Sequence, residues 1–294
     1  MAVLSHIITS EEDGLTVRDV LTARLHVSSS LRKALARRSG ALLLEGEAVF
    51  LSAKVAAGQR LTVDITDPEV PSPIVPVDFP LCVLWEDEHL LAIDKPAGIT
   101  VHGAALTEEA VTVVGAAAHY LGSTAVHVVN RLDRGTSGVM LMAKSSYMHA
   151  RCMALLHTAD FHREYRAVCA GVPSPDRGVI DAPIARDTAS LLRRCIASEG
   201  QPAVTEYEVL ASAGGRALLR LLPRTGRTHQ LRLHMAHIGH PLTGDWLYGT
   251  EDRMLIARPA LHSHVLRFTH PLTGEAVEIT TPLPEDIRRL MEET

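Results

Sequence analysis

Hydrophobic positions change period several times along the chain, and each change marks an element. Val17, Val20, Leu21 and Leu25 recur at helical spacing, the stripe of a helix with one face in a core. Ser28 to Ser30 then offer caps for a second helix over 31–38, which Gly40 ends. Apolar residues next alternate over 41–44 and 49–55, about a Glu45-Gly46-Glu47 turn, and again over 60–65. A period of two predicts strands there. Residues 1–16 follow neither period and read as a loose arm. Pro68, Pro71, Pro73, Pro76 and Pro80 come after, excluding helix and central strand and predicting an extended connector. The expected organisation is a small module over 1–66, a proline-rich linker over 67–80 and a larger domain over 81–294.

In the larger domain, strand patterns fall at 81–85, 90–93, 125–129, 139–143, 165–170, 205–210 and 217–222. One helix is expected behind a Thr107 cap, with Glu108 and Glu109 in its positive first turn, and another over 146–157 behind Ser145. Strands come in runs instead of alternating with helices, which predicts an α+β fold with a mixed, mostly antiparallel sheet. Residues 111–130 carry no formal charge and are long enough to cross a bilayer. His119, His127, Asn130 and two glycines make a poor lipid-facing set, so a buried helix followed by a strand is expected instead.

Composition narrows the function. Lys and Arg number 29 against 34 acids, a net charge of −5, so the chain does not coat nucleic acid by bulk charge, and only local basic patches could meet phosphates. With four Phe, two Trp and five Tyr, a base-stacking sheet or an aromatic membrane belt is not expected. Cys82, Cys152, Cys169 and Cys195 are scattered without a C-x-x-C pair, which fits a reducing cytosol better than a disulfide or cysteine–zinc framework. No targeting segment stands out, and a soluble cytoplasmic monomer is expected.

Four segments carry candidate chemistry. In Asn130-Arg131-Leu132-Asp133-Arg134-Gly135-Thr136-Ser137-Gly138 an acid sits between two arginines at the end of a strand. The fold could desolvate such a carboxylate while arginine keeps it ionised, as a nucleophile or cation stabiliser requires; a surface ion pair is the plainer alternative. From Arg216 through His234 there are five arginines and no acid, a local positive patch suited to phosphate or simply a solvated face. His229, His234, His237 and His240 suggest a metal, but H-E-x-x-H is missing, and capping or surface histidines fit better. Arg163-Glu164-Tyr165-Arg166-Ala167 and Asp94-Lys95-Pro96-Ala97-Gly98 read by default as packing and turn. No P-loop, nucleophile elbow or cofactor motif is present.

Taken in order, these segments resemble the RluA-type RNA pseudouridine synthases. That family carries His-Arg-Leu-Asp-x-x-Thr-Ser-Gly, matched here over 130–138 with Asn130 at the histidine position. Its Gly-Arg-Thr-His-Gln segment followed by Leu-Arg is intact from Gly226 to Arg232, its Lys-x-Tyr-x-Ala element is Arg163 to Ala167, and its Gly-Asp-x-x-Tyr-Gly closes at Gly249. The resemblance implies an isomerase that turns uridine in ribosomal or transfer RNA into pseudouridine without cofactor or metal. It implies catalytic roles for Asp133, for Arg227 as its ion-pair partner and for Tyr165, with Arg131, Thr136, Ser137 and His229 binding substrate. Residues 17–65 resemble an S4 RNA-binding module, with Leu44-Glu45-Gly46 at the usual Val-Asn-Gly turn. There Arg24, Arg32, Lys33, Arg37 and Arg38 would face phosphates. The rival readings are an RNA-binding protein without catalysis and a metal-dependent hydrolase built on the histidines.

Overall fold

The computed structural model describes residues 3–67, 73–103, 111–156 and 158–292. At the N-terminus, β1 (Val3–Ile7), α1 (Val17–Ala23), α2 (Ser29–Arg37), β2 (Leu42–Leu44), β3 (Glu47–Ala48) and β4 (Arg60–Asp64) make a four-stranded sheet, order β1-β4-β2-β3, under two helices. The helices begin where side chains satisfy free N–H groups: Thr16 and Asp19 form a reciprocal capping box on α1, and Ser28 Oγ accepts from Leu31 N on α2. Two expectations fail. The arm is not loose, because β1 pairs antiparallel with β4 and buries Leu4, with Ile8 following. Residues 49–55 are not a strand; their carbonyls receive the start of α1, Val17 N to Ala53 O and Arg18 N to Leu51 O. The alternation there is real, since Val49, Leu51, Ala53 and Val55 all pack on the module core, but no neighbouring strand pairs with it.

The rest of the chain runs β5 (Cys82–Glu86), β6 (Leu90–Lys95), α3 (Val113–Leu121), β7 (His127–Val128), β8 (Ser137–Ala143), α4 (Ser146–Leu155), β9 (Phe161–Ala170) and β10 (Arg177–Asp181). It continues through β11 (Ile184–Arg186), β12 (Arg194–Ile196), β13 (Val204–Ala213), β14 (Arg216–Pro223), α5 (Gln230–His237), β15 (Leu261–Thr269), β16 (Ala276–Thr280) and α6 (Glu285–Arg288). One ten-stranded sheet has the order β10-β13-β14-β9-β15-β8-β6-β5, with β16 on β15 and β7 on β8. Its ladders are antiparallel apart from β8–β15, so the fold is α+β with a mixed, mostly antiparallel sheet. Central β8 is buried throughout: Met140 and Met142 enter one core, Val139, Leu141 and Ala143 the other. The helix expected behind Thr107 lies outside the described residues at its start. The helix that is described begins at Val113, with Thr112 Oγ1 accepting from Gly115 N.

The parallel step between β8 and β15 depends on one glycine. Gly138 has φ 111°, and a Cβ there would stand 2.2 Å from Ser263 O. Only glycine lets the two backbones meet at this point, directly after the loop that carries Asp133.

The module and the sheet domain touch more than an extended connector suggested. Tyr147, on α4, is buried in the module core and donates to Leu25 O at 2.7 Å. Asp67 accepts from Ser146 N and Oγ and pairs with His127 at 2.5 Å. Downstream, Val77 N donates to Gly115 O, which fastens the linker along α3.

Candidate active site

The loop between β7 and β8 is fixed from three sides. Asn130 is buried; its Oδ1 accepts from Leu141 N at 2.7 Å and its Nδ2 donates to Val139 O at 3.3 Å, so a short amide clamps the loop's first residue onto β8. Thr136 N donates to Asp133 O at 3.0 Å, closing the turn. From β6, fully buried Lys95 sends Nζ to three carbonyls, Pro96 O (2.9 Å), Thr136 O (2.9 Å) and Arg134 O (3.3 Å). Burial pushes the Lys95 pKa down to about 8, against the opposing pull of Asp133. The Asp-Lys-Pro-Ala-Gly turn, structural by default in the sequence, is thus the brace under the Asp133 loop.

A cavity of about 350 Å³ opens above this loop, and Arg131, Asp133, Thr136, Tyr165, Arg227 and His229 all line it. Its size suits a small ligand group. The Asp133 side chain is 30% exposed, with Arg232 Nη1 at 3.7 Å and His229 Nε2 at 4.0 Å from Oδ2. Ser137 lies beneath, its Oγ bonded to buried His262 Nδ1 at 2.9 Å, and supports the loop from below the cavity.

The expected Asp133–Arg227 pair is not what the geometry shows. Among the described residues the cation within 4 Å of Asp133 is Arg232, while Arg227 Nε donates to Pro202 O at 3.1 Å. Gln230 causes the difference. Its Oε1 accepts from Arg227 N and Thr225 Oγ1, curling the loop so that Arg227 stands at its outer edge. The chain then passes through His229 at φ 58° into α5, whose first turns carry Arg232 inward. Arg232 is held by a buried fork to Asp245, Nε–Oδ2 2.7 Å and Nη2–Oδ1 2.7 Å, leaving Nη1 for Asp133. Burial works against the Arg232 charge, but the hydrogen bonds and charge of Asp245, with Asp133, outweigh it and raise its pKa. The Tyr248 ring lies 5.3 Å from the guanidinium.

Two further groups keep their neutral forms. Tyr165 is buried on β9, and burial raises its phenol pKa, partly offset by Arg163 and by hydrogen bonding with Ser263. His229 is pushed down by burial, with Asp133 pulling it up and Arg232 pressing it down again; its Nδ1 meets Tyr248 Oη at 3.0 Å. The other histidines diverge. His234 sits between Thr205 Oγ1 and Ala182 O, and His240 meets Ala170 O. Among the described residues no three His, Cys, Asp or Glu side chains gather as metal ligands would.

The N-terminal cations stand apart from the cavity. Arg24 pairs with Glu11 and Glu12, Arg38 pairs with Asp64, and Arg32 donates to Val27 O. Lys33 and Arg37 are exposed on α2. Sequence reasoning passed over Arg232, Asp245 and Lys95 as site residues. The signal was there: an arginine at the end of the Gly-Arg-Thr-His-Gln-Leu-Arg run, an acid 13 residues on, and a lysine that closes a strand opened by four apolar residues.

Comparison with known proteins gives one consistent result. Residues 89–237 match the family model described as RNA pseudouridylate synthase. The chain is 35% identical over 280 residues to the uncharacterized RNA pseudouridine synthase YjbO of Bacillus subtilis, covering 94% of this chain and 98% of that one. It is 37% identical over 270 residues to the ribosomal large subunit pseudouridine synthase D of Xanthomonas campestris, covering 86% of this chain and 81% of the relative. Among solved structures, human RNA pseudouridylate synthase domain containing 4 superposes with a TM-score of 0.57 at 28% identity, covering 71% of this chain and 92% of that chain.

Proposed function

Because the chain belongs to the RluA-type RNA pseudouridine synthases, isomerases that act on RNA, we propose that it converts uridines of structured ribosomal RNA with Asp133 as the catalytic carboxylate. The observation that carries this is the ionisable Asp133 facing a fixed Arg232 on the wall of a cavity shared with Tyr165. Relatives named for the large ribosomal subunit support the choice of RNA.

In this reading the target uridine leaves its stack and enters the cavity, at a cost of a few kcal/mol. Arg131, exposed beside Asp133, fills the space the base leaves. The bond between C1′ and N1 breaks, uracil turns, and C5 bonds to C1′; the C5 proton is lost and N1 gains one, so the change is an isomerisation. Asp133 stabilises the positive character that develops on the sugar, as a carboxylate does in glycoside hydrolysis. Arg232, held by Asp245, sets a fixed positive charge beside Asp133 and aims its carboxylate. Tyr165 supplies a ring face to the base, and its raised pKa makes it a neutral hydrogen-bonding group instead of a resting base. The module over 1–66, read as an S4 domain, offers Lys33 and Arg37 to the RNA backbone. The test is to map pseudouridines in ribosomal RNA from cells with and without this protein. Sites that vanish with it support the reading; an unchanged map of ribosomal RNA contradicts it.

A further inference from the structure

A second cavity, about 330 Å³, lies beside the first, and Arg227 lines both. Its other walls include Arg186 and Arg194 from the β11–β12 hairpin, Thr228, and Glu199. The two hairpin arginines are directly opposed in the ladder, Arg186 against Arg194. Like charges facing each other across a strand pair are destabilising. Among the described residues neither has a carboxylate within 4 Å, nor does Arg227, while Arg220 and Arg224 of the same basic run are paired with acids. Three guanidiniums thus converge on one open cavity with their charge unspent.

The hairpin is held in place for this. Ile184 exchanges both backbone hydrogen bonds with Gln201, and Gly200 packs so closely on Ile184 that a Cβ would stand 2.6 Å from its carbonyl carbon. Arg194 N donates to Tyr248 Oη at 2.9 Å, and the Arg193 guanidinium lies 5.8 Å from the same ring. Tyr248 also bonds His229, which faces Asp133. One tyrosine therefore ties the hairpin to the active-site wall.

We propose that Arg186, Arg194 and Arg227 form a cradle for an RNA phosphodiester adjoining the target nucleotide. This rests on the function proposed above and assigns Arg227 to the RNA backbone instead of to Asp133. A planar guanidinium suits phosphate by paired N–H donors, and an anion between Arg186 and Arg194 relieves the repulsion their register imposes. The cradle grips the strand without reading bases, so its contribution is independent of sequence and sensitive to salt.

The experiment uses the full chain and a labelled stem–loop RNA with uridines in its loop, titrated at several salt concentrations. Arg186→Gln/Arg194→Gln should bind about tenfold more weakly near 0.1 M salt and lose about 0.7 from the slope of log K against log salt, the share of one single-strand phosphate. Arg186→Lys/Arg194→Lys should keep most of the slope, since a point charge still meets phosphate. Glu199→Gln, which removes the cavity's carboxylate, should bind severalfold more tightly. The double Gln variant matching wild type in affinity and slope overturns the cradle, as does a Lys variant that loses the slope equally. Mapping of cellular RNA separates the two ideas. Protein-dependent pseudouridine with an unchanged slope sinks the cradle alone, and a reduced slope without such pseudouridine sinks the proposed function alone.

Discussion

Arg232 serves two carboxylates at once, and its geometry decides what each receives. Asp245 takes Nε and Nη2 in a fork buried from solvent, so the guanidinium cannot rotate, and Nη1 is presented to Asp133 at 3.7 Å. Lysine has the charge but neither the fork nor the fixed third donor. Arg232→Lys should therefore lower single-turnover pseudouridine formation at least ~100-fold, as loss of a preorganised electrostatic partner does; a near-wild-type rate would contradict the pairing. Lys95 makes a prediction about pH. Its pKa is 10.5 in an ordinary environment and about 8 in the fold, so between these values the unfolded chain holds a proton that the folded chain lacks. Stability from this group therefore rises with pH across that window, by up to about 3 kcal/mol. Urea unfolding of wild type and Lys95→Met at pH 7.5 and 10 should show their difference widening in favour of wild type at the higher pH. A constant difference would mean that Lys95 is not held as described.

At the scale of elements, the active loop depends on the parallel ladder between β8 and β15. Gly138→Ala would drive a Cβ into the Ser263 backbone at a φ that alanine avoids, and should cost several kcal/mol, at least ~3. Denaturant melts read this as a lowered midpoint; a midpoint within error of wild type would mean the β8–β15 approach is looser than described. The edges of legibility follow from the same physics. Strand β8 announces itself by the apolar run 139–143, β13 by Val, Thr and Tyr set between acids, β14 by its leucines, and β9 only by its second half from Tyr165. Central β15 did not, because His262, Ser263 and His264 stand where apolar residues would reveal it. Helix α5 was hidden for a related reason. It buries Gln230, Arg232 and His234, so polar and apolar residues share its inner face and no amphipathic stripe forms. The carboxylate and the cavity-lining motifs were readable from residue order, whereas the Arg227–Arg232 exchange depends on where Gln230 curls a loop, which spacing does not encode.

Across the whole molecule, a net charge of −5 leaves RNA contact to local concentrations of cation. Of the five basic residues between 24 and 38, Arg24 and Arg38 are neutralised by acids of their own module and Arg32 is turned onto Val27 O, so the proposed contact of the module with RNA would fall to Lys33 and Arg37. Replacing both with Ala should weaken RNA binding and flatten its salt slope by about 1.4, and an unchanged slope would leave the module a packing partner only. Tyr147 gives that packing a physical form: it belongs to α4 yet lies in the module core, and α4 also sends His149 and Met153 to the active cavity. Module, helix and pocket are therefore contiguous.

The most direct test of the account is Asp133→Asn, assayed for pseudouridine formation on ribosomal RNA from cells lacking the protein. The amide matches the carboxylate in size and leaves the Arg232–Asp245 fork intact, so the fold and most RNA affinity should persist while turnover falls beyond detection. A folded variant that retains a tenth of wild-type turnover would contradict the assignment, because a carboxylate that stabilises the reacting sugar contributes far more than ~10-fold.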